Sequence, residues 1–305
     1  MIRMRMSASA APHKDRSVLD LLYAPFSEFE FMQRALVGVI AIALGGGPVG
    51  VFLMLRRMSL TGDAMAHAIL PGAAIGYLLA GLSLPAMTFG GLAAGVIVAM
   101  AAGLVSRFTL LKEDASLAAF YLLSLALGVT IVSLRGSNVD LLHVLFGTVL
   151  ALDDNTMLLL ASISTLTVLA LAVLYRPLVL ECVDPIFLRS VSRSGTPTHL
   201  IFLGLVVMNL VGGFHALGTL LAVGMMMLPA AAARFWTSDI TMMMIVSVLV
   251  GIVSGVAGLL LSFHAELPAG PAIILSAGAV YVASLLIGRE GGVLWLAWPG
   301  KHLEA

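Results

Sequence analysis

Two residues in this chain have the types and the spacing to hold a metal ion. Asp63 and His67 stand four positions apart in the run Met58-Ser-Leu-Thr-Gly-Asp-Ala-Met-Ala-His-Ala-Ile-Leu-Pro-Gly72. On an α-helix that spacing puts both side chains on one face, a turn apart. A carboxylate and an imidazole together suit a divalent transition ion such as zinc, manganese or iron(II). A buried hydrogen bond that fixes helix packing is the competing reading of the same pair. Two ligands do not complete a site, so the others must come from another helix, a second copy or water. Pro71 adds a local weakness, because a proline cannot bond the carbonyl four residues earlier, here that of His67. Pro229 repeats the arrangement at Met225 and marks a candidate hinge.

Other polar residues carry less. His264 and Glu266 fall in an outer loop and are candidates for an outer entrance, with plain loop surface as the alternative. His215, near Asn209 and the expected turn at Gly212-Gly213, is a third such candidate. Met225 to Met227 and Met242 to Met244 offer thioethers, which suit copper(I). Methionine also fills cores flexibly, and that reading fits these runs better. The lone Cys182 supports neither an internal disulfide nor a cysteine metal cluster.

The elements that position these residues are membrane spans. Sixty per cent of the 305 residues are apolar and 10 per cent are charged, against about 25 per cent charged in a soluble domain. So few charges do not cover a water-facing surface. The net charge is zero, so nothing suggests a nucleic acid partner. A helix crosses a bilayer with about 20 apolar residues. The charge-free runs that supply them are 35–55, 64–106 (two helices, breaking at 81–85), 115–134, 155–175, 197–233 (two helices), 240–265 and 267–288. Residues 141–152 are apolar but too short to cross, and read as a re-entrant or interfacial helix. The expectation is an all-α polytopic membrane protein with about eight or nine transmembrane helices plus that short piece. If the second span starts near Met58, Asp63 and His67 lie about 7 to 14 Å along it, a buried pair within the hydrocarbon layer.

No cleavable signal peptide is evident, and residues 1–31 read as a polar tail followed by an interfacial segment. Residues 32–290 form the membrane domain and 291–305 a cytoplasmic C-terminal tail. With 176–196 placed inside, Arg56, Arg57, Arg107, Lys112, Arg176, Arg189, Arg193, Arg234, Arg289 and Lys301 are all cytoplasmic. Arg34 and Arg135 then lie outside, and the basic tail at 3–16 runs against the rule.

The stretch from Arg57 to Gly72 closely resembles the signature that opens the second span in permease subunits of bacterial zinc/manganese ABC importers. Four further blocks are similar in order: Asp140-Leu-Leu-His-Val-Leu-Phe-Gly-Thr-Val-Leu-Ala151, Val183-Asp184-Pro185, Leu228-Pro-Ala-Ala-Ala-Ala-Arg234 and Glu266-Leu-Pro-Ala-Gly-Pro271. Together they run from about residue 30 to 290. The chain departs from the pattern where Val183 and Ile186 flank Asp184-Pro185, where Glu266 replaces the commoner aspartate, and in the tail before residue 18.

The resemblance implies a multi-pass permease of the bacterial cytoplasmic (inner) membrane that imports Zn2+, Mn2+ or Fe2+ as cargo, with no permanently bound cofactor. It implies a second permease copy (a homodimer), a separate ATP-binding subunit and an extracytoplasmic metal-binding protein. The chain carries no Walker-type Gly-rich loop, which fits a subunit that is not itself the ATPase. The inner loop 178–197, with Asp184, Pro185, Arg189 and Arg193, is the candidate ATPase-docking segment, since aspartate caps a helix and proline tolerates its first turn. A permease for a siderophore or cobalamin chelate is the nearest rival, but a chelate asks for a wide neutral cavity rather than ion ligands. A membrane-embedded metalloenzyme is further off. It would need three protein ligands and a general base, and no His-Glu-x-x-His motif occurs. A proton-coupled carrier using buried acids is a third alternative.

Overall fold

A computed structural model describes residues 18–81, 83–111, 113–134, 152–183 and 195–294. Among them every regular element is a helix. Helix α1 (Val18–Glu28) leads into α2 (Glu30–Leu55), which runs through the middle of the bundle. Then come α3 (Ser59–Ala68), α4 (Leu70–Ala80), α5 (Leu84–Phe108) and α6 (Glu113–Leu134). After residues 135–151 follow α7 (Asp154–Val183), α8 (Gly195–Leu217), α9 (Thr219–Ala233), α10 (Ile240–Ala265) and α11 (Ala269–Ile287). Eight helices among the described residues are long and apolar enough to cross a membrane, counting α3 and α4 as one span. Helix α9, at 15 residues, is shorter.

Most breaks fall where the charges and glycines place them. Helix α2 ends at Arg56 and Arg57, and Arg57 takes a left-handed φ of 60° to turn the chain into α3. Gly81, at φ 64°, closes α4 ahead of α5. The expected turn at Gly212-Gly213 is corrected. Helix α8 continues to Leu217, and Gly218 makes the turn with a φ of 85°. Gly213 serves packing instead, because a Cβ there would press on Ala222 of α9. Helix α7 also outruns its expected end at residue 175. It carries Arg176 and Pro177 inside it and runs to Val183, the last described residue before 195. Its 30 residues span about 45 Å against a hydrocarbon core of about 30 Å. Asp153 caps its first turn by accepting from the Thr156 amide at 3.1 Å. The Thr156 hydroxyl donates to the same carboxylate and holds it below its ordinary pKa.

Lipid supplies little hydrophobic drive between helices, so close contact falls to small residues. A Cβ on Gly50 of α2 would collide with the Met226 carbonyl of α9. Gly72 of α4 and Gly90 of α5 bring their backbones equally close. The two ends of the bundle differ in charge. Val51, Ala230, Ala233 and Met243 pack together, which gathers the end of α2, the end of α9 and the start of α10. Arg56 and Arg234 therefore share one end, and Arg289 joins them through the Glu290 amide on the Phe235 carbonyl. Arg34 lies at the opposite end, against Asp154 at 3.2 Å.

Candidate functional site

Helix α3 is a short, weakly apolar helix wedged between α6 and α9. Met65, Ala66 and Ala68 turn into the main core beside Leu117 and Met226. Gly62 faces Met226 and Met227 of α9. The opposite side carries Leu60 and Asp63, both exposed, with His67 half-buried a turn above. Within this single chain the pair is not enclosed: the Asp63 side chain is 68 % exposed and that of His67 32 %. Burying the apolar side of α3 forces the polar side to the flank of the bundle.

The pair itself is placed as its spacing requires. Asp63 Oδ1 and His67 Nε2 are 3.9 Å apart. That is too long for a hydrogen bond, and the two atoms would have to close to about 3.4 Å to share one tetrahedral ion with bonds of about 2.1 Å. Tyr121 of α6 stacks on the imidazole, with ring centroids 6.3 Å apart and planes 30° from parallel. Ser124 Oγ, a turn further on, donates to the Ala68 carbonyl at 2.9 Å. His67 Nδ1 is buried without a hydrogen-bond partner among the described residues, which leaves Nε2 as the atom turned to Asp63. Ile69, two residues past His67, keeps helical dihedrals (φ −73°, ψ −29°), so α3 runs on into α4, and Pro71, which has no N–H, removes the bond a residue there would make to the His67 carbonyl. Pro71 is buried, and Gly128 of α6 leaves room for it. Pro229 sits inside α9.

Among the described residues no three His, Cys, Asp or Glu side chains converge as a metal cluster. The pair is an incomplete site on a lateral face. A charged carboxylate facing hydrocarbon is costly by any scale, so this face needs water or protein against it. A cavity of about 170 Å3 adjoins it between α3 and α6, walled by Asp63, Thr61, Asp114 and Tyr121. Asp114 was not singled out by spacing, because the register of two separate helices is what brings it to this cavity, and Thr61, two residues from Asp63 on α3, carries no charge to mark it.

The outer candidates stay apart from this pair. His264 ends α10, is exposed, and bonds the Leu260 carbonyl at 2.8 Å. Glu266 is exposed in a left-handed cap with φ 53°. The side chain of His215, and residues 141–151, 184–190 and 191–194 with Asp184, Pro185, Arg189 and Arg193, lie outside the described residues.

A second polar group was invisible in the sequence. At the basic end Arg56 Nη2 donates to Glu181 Oε1 at 2.9 Å, with side chains 7 % and 10 % exposed. His199 Nδ1 lies 3.7 Å from the same oxygen and contacts Arg56 directly. The Arg56 guanidinium also lies over the Phe202 ring, 5.1 Å from its centre. These groups join the ends of α2, α7 and α8 from positions 125 and 143 residues apart in the chain.

Known proteins are similar to this chain over most of its length. The manganese transport system membrane protein MntC of Halalkalibacterium halodurans is 30% identical over 289 residues, covering 94% of this chain and 98% of that protein. The manganese import system permease protein ScaB of Streptococcus parasanguinis is 32% identical over 260 residues, covering 85% and 91%. The solved structure of PsaBC from Streptococcus pneumoniae in complex with Fab superposes with a TM-score of 0.80 at 28% identity, over 92% of this chain and all of that one. An inward-facing metal-chelate type ABC transporter shares the fold alone, with a TM-score of 0.62 at 15% identity, over 83% of this chain and 85% of that one. Residues 28–288 match the ABC 3 transport family, and this chain belongs to it.

Proposed function

We propose that this protein is the membrane permease of a bacterial ABC importer for manganese(II), and that Asp63 and His67 of α3 are the residues that take the ion. The observation that carries this reading is a carboxylate and an imidazole 3.9 Å apart on the open flank of an apolar span. The names of the relatives MntC and ScaB support manganese as the cargo. An Asp–His pair also accepts zinc and iron(II).

The flank position supports a pathway between two permease copies. Two α3 helices facing one another would cover both lipid-exposed carboxylates and double the donor set from two to four. An extracytoplasmic binding protein delivers the ion to the end bearing Arg34. A separate ATP-binding subunit docks at the basic end, in the cytoplasm, against the segment between α7 and α8. ATP-driven rocking of the two copies then opens the cytoplasmic side. Pro71 weakens the helix next to the ligand, and the ion must be held weakly enough to leave.

The test is metal uptake by cells that lack their own high-affinity importers and carry this permease with its cognate ATPase and binding protein. Wild type takes up manganese, and Asp63→Ala and His67→Ala each reduce uptake at least about 100-fold at matched membrane levels, the loss expected when a ligand made in the pathway is removed. Uptake unchanged by either substitution contradicts the assignment of the pair. Uptake of zinc or iron in place of manganese contradicts the choice of cargo.

A further inference from the structure

Helices α3 and α6 run side by side in the same direction and in register. The Tyr121 ring lies on His67, and Ser124 reaches the Ala68 carbonyl. Seven residues back along α6 from Tyr121 is Asp114, and seven residues back along α3 from His67 is Leu60. Each step covers about 10 Å toward the basic end. Asp114 therefore stands at the level of Leu60, roughly one helical turn on the cytoplasmic side of Asp63. The 170 Å3 cavity joins the two levels, with both carboxylates in its wall. Thr61 lies in the same wall, is 2 % exposed, and its Oγ1 has no hydrogen-bond partner among the described residues.

We infer that this cavity is a second station for the transported cation, in which Asp63 and Asp114 hold it between two carboxylates, with the Thr61 hydroxyl as a neutral third donor. This rests on the reading of Asp63 and His67 as the first station. Asp63 is common to both. An ion moving toward the cytoplasm keeps that ligand and exchanges the His67 nitrogen for an Asp114 oxygen, so it is never stripped of protein ligands at once. The donors change from mixed nitrogen and oxygen to oxygen alone. Oxygen donors suit manganese(II), whereas imidazole suits zinc. The second station therefore passes manganese onward more readily than zinc, although the first accepts both. Two carboxylates on one cavity repel each other when it is empty, which favours a divalent cation between them. The competing account is a solvated acid in the first turn of α6, where the helix dipole favours a negative charge. On that account Asp114 has no part in binding.

The experiment is a titration of Mn2+ into the importer, permease with its ATP-binding subunit, in nanodiscs, reading free Mn2+ by electron paramagnetic resonance. Wild type shows a tighter and a weaker class of bound ion. His67→Ala abolishes the tighter class and leaves the weaker, while Asp114→Asn does the reverse. Thr61→Val weakens the second class about ten-fold and Thr61→Ser restores it, as expected for one lost oxygen donor. In proteoliposomes Asp114→Asn lowers maximal manganese uptake about ten-fold with the half-saturating concentration unchanged, the pattern of a defect after binding. Co-elution of each variant with the ATP-binding subunit shows that it is folded. A folded Asp114→Asn importer with both classes and wild-type uptake overturns the second station. So does a wild type with a single class that His67→Ala removes. A wild type whose bound Mn2+ is indifferent to His67→Ala contradicts the first station, and the two failures are thereby told apart.

Discussion

Glu181 and Arg56 show how much a single buried contact constrains at the residue scale. Each charge is almost fully removed from water, and each is compensated chiefly by the other. Deleting one partner leaves the second buried and bare, which costs about 3–5 kcal/mol. Glu181→Leu should therefore lower the thermal unfolding midpoint of the purified permease markedly. The double variant Arg56→Met with Glu181→Leu should recover most of that loss, since removing both charges together spares the desolvation. A Glu181→Leu protein as stable as wild type would show that the contact holds nothing. Asp63 and His67 obey a different logic. Neither is tied into a buried network, and both keep donor atoms facing the open flank. Of the two polar groups only Asp63 and His67 were legible in the sequence, because they stand four residues apart, whereas Arg56 and Glu181 stand 125 apart. The latter two are joined only by folding.

Helices meet through glycine at the element scale. A Cβ at Gly50 runs into the backbone carbonyl of Met226, which has no rotamer with which to yield. Gly50→Ala must push α2 and α9 apart, at a cost of about 1–3 kcal/mol. Gly278→Ala, whose Cβ would meet open space within α11, serves as the control and leaves the thermal midpoint unchanged or slightly raised, since alanine favours a helix over glycine. Equal midpoints for the two variants would remove the close approach from the account. The same pair of helices shows where sequence reading stops. Charge-free runs locate spans because a charge in lipid is costly, and most of the spans follow from that alone. The turn between α8 and α9 does not follow. Gly212, Gly213 and Gly218 all permit a turn by their chemistry. Gly212 packs on Ile163 of α7 and Gly213 on Ala222 of α9 within the helix, and the positive φ falls to Gly218. Likewise Arg176 and Pro177 look like the end of α7, yet the helix carries both.

The flank that bears Leu60, Asp63 and His67 decides the account at the scale of the whole molecule. A carboxylate there is untenable against lipid, so a second copy is expected to cover it. Cys182 is the only cysteine, so Cys182→Ser gives a cysteine-free background. In that background Leu60→Cys should form a disulfide between two copies on mild oxidation in membranes, read as a dimer band on a non-reducing gel. Leu169→Cys, exposed on α7, should not. Cross-linking through Leu169 and not through Leu60 would place the second copy on another face. The central claim is that the transported ion is bound by a nitrogen of His67 on that flank. The most direct measurement is electron–nuclear double resonance of Mn2+ bound to the importer in nanodiscs. Wild type is expected to show a nitrogen coupling that vanishes in His67→Ala; bound Mn2+ with no nitrogen coupling, or with one that survives His67→Ala, would contradict ligation by His67.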